Sequence, residues 1–504
     1  MTITSFLRAL LVILFAGVVT AAAAQPAAQR NAPDKPATAE RRPAGPGVLR
    51  LLPDDSVTEH AIDTAQGQLA YQATAGTLDF FNQSGERSAS VFYTAYVVKD
   101  GAPNRPLTFV FNGGPGAASA FLHLGLVGPR VLDFGPQEND PARARLQDNP
   151  DTWLRFTDLV MIDPIGTGWS RTVKPDDAKN FWSIGSDADA MAKAIALYVA
   201  KNNRAGSPKY LFGESYGGLR AAKTARALQR EQEIAVSGIV MLSPLLEGWL
   251  TFGDDQSALR SALELPSLAA ARLEREGAFS AEALARAENF AMHDYLTTLA
   301  GPPPQGVAAK AFYERVAQVS GLPLETVSKA HGFVTDASVK SLREGKIVSR
   351  YDANFAVDDP FPEARSTRGA DPILDGVARA YGGAFASYAR NELGFKTAMT
   401  YQLLANDVTR HWNWDNGRSQ VSAEGDLRTL LSFTPSFRLL IAHGLSDLVT
   451  PYAMTRYVAD HLPPFDPPGR VVLRNYRGGH MLYLDPASRK AFSTDAAAFY
   501  RGGE

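Results

Sequence analysis

A serine set between glycines, Gly213-Glu214-Ser215-Tyr216-Gly217, is the part of this sequence best equipped for covalent chemistry. The stretch fits G-x-S-x-G. It follows a short apolar run at 209–212 and precedes helix-forming text from Gly218, the strand–turn–helix setting that a nucleophile elbow requires. A serine hydroxyl is a poor nucleophile at neutral pH, so it needs an imidazole to take its proton and a carboxylate to orient that imidazole. With the serine first in the chain, the carboxylate and then the histidine should follow, each on a loop after a strand. Asp447 follows the β-like run 437–441 and His480 follows the run 470–473. The other histidines fit this order less well. His443 precedes the carboxylate, His461 falls in a helical stretch after Pro451, His293, His331 and His411 lie in or beside helix-rich text, and His60 and His123 precede the serine.

Attack on a carbonyl creates an oxyanion, which backbone N–H groups must stabilise. Asn112-Gly113-Gly114-Pro115-Gly116, directly after the apolar run Leu107-Thr108-Phe109-Val110-Phe111, is the glycine-rich loop suited to supply one. Pro115 has no N–H, so Gly114 is the candidate donor, and Tyr216, the residue after the serine, is the second. A phosphate-binding role is disfavoured because no G-K-[ST] or G-x-G-x-x-G follows. The chain has no cysteine, which removes thiol nucleophiles, thiolate metal sites and disulfides together, and it has no H-E-x-x-H. The expectation is a hydrolase with neither metal nor cofactor.

Elements that position these residues can be read from patterning. Alternating β-formers at 57–98 predict antiparallel strands. Short runs of apolar residues at 107–111, 159–163, 209–212 and 238–242, with helical text at 187–203 and 219–230, predict strands buried on both faces in βα alternation. From 247 to 417 helix-like text dominates, including 266–275, 281–299, 307–319 and 383–393, before strand signals return. The expected organisation is an α/β core over 47–246 and 418–504, interrupted by a helical insertion at 247–417. Ahead of it, Arg8, the apolar block 9–19 and Ala22-Ala23-Ala24 predict a secretory signal peptide over 1–24, too short to span a bilayer. A Pro/Ala-rich linker follows at 25–46. Export to a periplasm or the medium is therefore expected, with no stable membrane anchor after cleavage. A net charge of −2 leaves no basic excess to bind nucleic acid.

Taken together, Asn112-Gly113-Gly114-Pro115-Gly116, Asp163-Pro164-Ile165-Gly166-Thr167-Gly168-Trp169-Ser170, Gly213 to Gly218 and the Asp447 and His480 segments resemble the serine carboxypeptidase family. The resemblance implies an α/β-hydrolase fold with a mainly parallel central sheet and a helical lid insertion, and removal of single residues from peptide C-termini. It implies Ser215 as nucleophile, His480 as general base then acid, Asp447 as orienting carboxylate, and Gly114 and Tyr216 as the oxyanion hole. It further implies that Asn112 and Glu214 hold the substrate's terminal carboxylate, the glutamate doing so only while protonated. Three positions depart from the family pattern. A second glutamate expected fourteen residues after Asn112 is Leu126, a tryptophan expected two residues before it is Val110, and no disulfide can form. Leu126 keeps a second reading open, an esterase or acyltransferase with the same triad, because fold and triad define acyl transfer but not the acyl group. A third reading, a catalytically inactive binding protein, is opposed by the complete set of Ser215, Asp447 and His480. The expected partner is a peptide or a small acyl substrate.

Overall fold

Strands whose residues are apolar at every position must be covered on both faces, and the main sheet is assembled around such strands. A computed structural model describes residues 46–135, 140–335, 342–364, 369 and 371–502, all within one compact unit, Pro43–Glu504. The stretch expected to be a signal peptide, 1–24, and the expected linker as far as residue 45 lie outside the described residues.

The main sheet contains β1 (Ser56–Thr64), β2 (Gly67–Phe81), β3 (Arg87–Val98), β4 (Leu107–Phe111), β5 (Asp158–Ile162), β6 (Lys209–Glu214), β7 (Gly238–Leu242), β8 (Arg438–Gly444) and β9 (Val471–Tyr476). The two-residue strand Arg171–Thr172 pairs with β3. In space the order is β1-β2-β3-β5-β4-β6-β7-β8-β9. The first three strands and β5 pair antiparallel, as the alternating text at 57–98 predicts. From β5 to β9 every pairing is parallel.

The period of two along each strand divides the core. Phe109, Phe111, Leu211, Ile239 and Ile441 face one hydrophobic cluster, while Val110, Phe212, Val240, Leu242 and Leu440 face the other. Seven helices matter here: α1 (Ile184–Lys201), α2 (Tyr216–Glu231), α3 (Ala258–Arg275), α4 (Ala281–Phe290), α5 (Gly306–Ser320), α6 (Ala380–Asn391) and α7 (Pro486–Arg501). Met191, Ile195 and Tyr198 of α1 and Leu219, Ala222 and Ala225 of α2 cover the first face. Phe492, Ala496 and Tyr500 of α7 help to cover the second, joined through Trp153. That indole lies flat on Phe212, with centroids 4.8 Å apart, meets Phe492 edge-on, and donates from Nε1 to Ser493 Oγ at 3.1 Å. A mostly parallel sheet wrapped by helices, with Ser215 at the turn between β6 and α2, is the α/β-hydrolase fold.

The stretch 247–417 is helical for the most part, with a small antiparallel hairpin of Lys346–Val348 and Ala356–Asp358 within it. It also divides in two. Leu265, Leu268, Phe290, Tyr295, Val316, Val319 and Val348 form a cluster of their own, whereas Tyr381, Phe385, Tyr388, Phe395 and Leu403 pack with the sheet beside Phe92 and Trp169. The apolar residues after about 373 thus serve the main core. Helix α3 starts eight residues before Pro266: Ser257 caps it by accepting from Arg260 N, and burial of Ala262, Leu263 and Leu265 carries the helix through the proline. No helix among the described residues is long and apolar enough to cross a membrane.

Truncating Trp153, which is 0% exposed, removes a ring packed against both Phe212 of β6 and Phe492 of α7. Trp153→Ala should lower stability by about 3–5 kcal/mol. Val307→Ala, at a side chain 87% exposed, should stay within about 0.5 kcal/mol of the parent, both read from denaturant midpoints.

Candidate active site

Parallel strands deliver their C-terminal ends to one edge of a sheet, so loops that follow neighbouring strands meet there. β4 lies beside β6, which brings the Asn112-Gly113-Gly114 loop against the turn at Ser215. β7, β8 and β9 follow in order, so the loops carrying Asp447 and His480 are adjacent as well.

Ser215 has φ 62° and ψ −126°, a conformation that L-residues avoid. Three main-chain hydrogen bonds hold it there: Ser215 N donates to Leu242 O at 2.9 Å, and its carbonyl accepts from Gly218 N at 2.9 Å and Leu245 N at 3.0 Å. Strain of this kind persists only where the surroundings over-determine it. Tyr216 opens α2, so its N–H is one of those at the helix start with no intrahelical acceptor. Gly113 backs directly onto this turn. A Cβ there would lie 2.5 Å from Glu214 O, 2.6 Å from Tyr216 N and 2.7 Å from Gly217 N, which only glycine avoids. The close approach sets Gly114, next in the chain, beside the same turn as the Tyr216 N–H.

Asp447 is fully buried and its oxygens are occupied. Oδ1 accepts from Val449 N at 2.7 Å and Thr450 N at 3.1 Å, and Oδ2 from Thr450 Oγ1 at 2.9 Å and His480 Nδ1 at 2.8 Å. Burial opposes its charge, but the charge and hydrogen bond of His480 outweigh it and hold the carboxyl below its ordinary range. For His480 burial disfavours the cation, and Asp447 more than compensates, so its pKa lies above the ordinary 6.5. With Nδ1–H committed to Asp447, Nε2 is the ring nitrogen left to accept a proton. The main chain of His480 is tied by its carbonyl, which accepts from Ser243 Oγ at 2.9 Å, and by its N–H, which donates to Tyr351 O at 2.6 Å.

Beside the serine lies a buried pair, with Asn112 Nδ2 donating to Glu214 Oε2 at 2.6 Å. The amide is fixed by Leu122 N, which donates to Asn112 Oδ1 at 3.1 Å. Burial pushes Glu214 up to about 7, against the pull of the His480 charge and hydrogen bonds from Tyr483 and Asn112. The Asp163 motif braces the loop from below. Asp163 Oδ1 accepts from Ser119 N at 2.8 Å, Ser119 Oγ at 2.7 Å and Tyr401 OH at 3.2 Å, while Ser170 Oγ donates to Asp163 O at 2.6 Å.

Ser215, Glu214, Asn112, Gly114 and Tyr216 thus gather where β4 and β6 end, and the Asp447–His480 pair sits on the neighbouring loops. His443 lies within β8, buried and pushed down to about 4 by that burial, hence neutral. His411 stacks on Trp182, and His461 bonds to Tyr457 O. Sequence reasoning missed the supporting groups Thr450, Ser243, Tyr351, Arg220 and Tyr483. The one available signal was for Arg220, an arginine five residues after Ser215 set between Leu219 and Ala221-Ala222; the structure shows it buried.

The family model for serine carboxypeptidases matches residues 66–464. His480 lies beyond that match. Among curated proteins, the chain is 30% identical over 150 residues to the pheromone-processing carboxypeptidase KEX1 of Yarrowia lipolytica, covering 29% of this chain and 22% of that one. It is 30% identical over 148 residues to the retinoid-inducible serine carboxypeptidase of Rattus norvegicus, covering 28% and 30%. The chain therefore spans less than a third of the length of these two relatives. Among solved structures, the prohormone-processing carboxypeptidase KEX1(delta)p of Saccharomyces cerevisiae superimposes with a TM-score of 0.55 at 15% identity, over 86% of this chain and 91% of that one, a likeness of fold.

The contact at Gly113 generates a direct test. Gly113→Ala should displace the loop from the serine turn and lower kcat for an activated ester by about 10²–10³, as for a lost oxyanion donor. Gly185→Ala, where a Cβ meets nothing within 4 Å, should leave kcat at the parent value.

Proposed function

Because this chain belongs to the serine carboxypeptidase family, we propose that it cleaves the C-terminal residue from peptides through an acyl-enzyme on Ser215. The observation that carries this reading is the buried Asn112–Glu214 pair beside the serine turn, since acyl transfer alone needs no such pair. In the proposed reaction Ser215 Oγ attacks the last peptide carbonyl as its proton passes to His480 Nε2. The N–H groups of Gly114 and Tyr216 receive the oxyanion. His480 returns the proton to the departing amine, and the C-terminal residue leaves. Water, deprotonated by His480, then releases the acyl group. Asp447 orients the imidazole and stabilises its cation throughout.

Asn112 and Glu214 select the substrate's end. A glutamic acid can donate to a carboxylate only while protonated, and with a pKa near 7 Glu214 does so in neutral and mildly acidic solution. As pH rises through about 7 the proton is lost, two carboxylates face each other and binding fails. The residues at 1–24 are proposed as the export signal, with the periplasm or the medium as destination.

The test compares a blocked dipeptide with a free C-terminus, its C-terminal amide and its ester across pH. The free acid should be preferred over the amide by about 10–100-fold in kcat/KM, the worth of a charge-assisted hydrogen bond. Ser215→Ala should abolish turnover of all three. Equal cleavage of acid and amide would instead mark an esterase or acyltransferase. In a second test, Glu214→Gln should keep its activity on the free acid above pH 7, where the parent declines, because an amide donates without a proton equilibrium. An unaltered pH profile would remove Glu214 from the carboxylate site.

A further inference from the structure

Leu126 leaves Glu214 without the second acid that the resemblance leads one to expect, and its side chain is buried in the sheet's second cluster. Another group has reached the glutamate from a different part of the chain. Tyr483, three residues after His480, places its hydroxyl 3.3 Å from Glu214 Oε1 and 3.1 Å from Oε2. Its ring is 1% exposed and lies over Gly125, the residue before Leu126. A Cβ on Gly125 would stand 2.5 Å from Tyr483 Cε2 and 2.6 Å from Cδ2, so the absence of a side chain at 125 makes the space that the ring occupies.

We infer that Tyr483 is a positioning residue for the substrate's C-terminal carboxylate: lodged over Gly125, its hydroxyl holds Glu214 and supplies a donor to the ionised form of that acid. The inference rests on the carboxypeptidase reading of Glu214 and adds what governs it. A phenol and an acid act in opposite senses at this place. A second carboxyl shares a proton with its neighbour and helps to keep it there, whereas a phenol donates to the carboxylate and eases the proton's departure.

Asn112 apart, the other groups facing Glu214 do not duplicate this action. His480 and Asp447, on the loops after β9 and β8, act on it through their charges and in opposite directions. Tyr351, from the helical insertion, and Tyr381, on α6, are held neutral by burial across the working pH range. Burial likewise keeps the Tyr483 proton in place. Asn112 also donates to Glu214, and both single variants described below leave that bond in place.

The experiment measures kcat/KM for the free-acid dipeptide across pH and reads the midpoint of the alkaline fall. Tyr483→Phe removes one donor from the ionised form, so the midpoint should move upward by about one pH unit. Gly125→Ala, which pushes the ring off its seat, should move it in the same direction and serves if the phenylalanine variant folds poorly. Placed in the Glu214→Gln background, Tyr483→Phe should leave no alkaline midpoint to shift. A midpoint that stays put or falls in both single variants, while Glu214→Gln still removes the alkaline limb, would overturn the role of Tyr483 and leave the carboxypeptidase reading standing. If the limb survives Glu214→Gln in the parent, the assignment of Glu214 fails first and that of Tyr483 fails with it.

Discussion

Two backbones in near contact set the terms for the whole site. The loop after β4 passes so close to the turn after β6 that no side chain fits at 113, and this one separation sets the loop carrying Gly114 against the turn carrying Tyr216. The loop has to be pinned as well as close. Arg220, fully buried on α2, does this by donating to the carbonyl of Asn112 while its Nε donates to Asp187 Oδ2 of α1 at 2.7 Å, with the Tyr216 ring 5.0 Å from the guanidinium. A buried ion pair of this kind is weak evidence of stability, since desolvation offsets much of the attraction. Its effect is registration: two helices and the loop after β4 share one guanidinium, and removing either charge would strand the other in a dry interior at about 3–5 kcal/mol.

The same dryness couples the acids to the base. The charges of His480 and Glu214 favour each other, while Asp447 opposes Glu214. With one proton between them, His480 and Glu214 have two arrangements of equal net charge: an ion pair, or a neutral imidazole beside a neutral acid. Only the second has both a free base and a donor for a carboxylate. An anion brought against Glu214 disfavours ionised Glu214, so on the proposed reading a substrate with a free C-terminus itself promotes the arrangement that reacts. Such a pair titrates as a unit, and pH profiles report the pair and not either residue alone.

Much of this was legible in the sequence because local rules and tertiary demands agreed. The run 107–111 reads as a buried strand since both its faces are covered, and the serine motif reads as an elbow since the strand and helix around it are locally encoded. The order of Ser215, Asp447 and His480 follows from the fold, so two loops distant in sequence could be named in advance. The support for them could not. Tyr351 and Ser243 reach His480 from two distant segments, and no spacing or periodicity links residues that meet only through tertiary packing; Thr450, three residues after Asp447, closes that residue's own turn. The extent of the helical cluster was hidden for a related reason. Helical text at 383–393 looks the same whether its apolar face meets other insertion helices or the sheet, and here it meets the sheet.

Without cysteine, the insertion has to be joined to the catalytic loops by backbone and side-chain contacts, and residues 350–353 show how. Leu448 N donates to Arg350 O at 3.0 Å, Ala353 N to Ser446 O at 3.0 Å, and His480 N to Tyr351 O, so one extended segment clasps the acid loop and the histidine loop together. The Tyr351 ring then stands edge-on to the His480 imidazole, 5.1 Å between centroids. Ser446 Oγ donates to Asp352 Oδ1 at 2.7 Å, and burial pushes that carboxyl up to about 6 against this bond and one from Asn354 N. A folded-state pKa above the ordinary 3.8 means that the contribution of Asp352 to stability is full below about pH 4 and is lost as pH rises through 6. Glu214 follows the same sign over a window ending near 7. The clasp and the proposed carboxylate site are thus both most secure while their buried acids hold protons, so one mildly acidic range favours the structure of the site and the recognition proposed for Glu214.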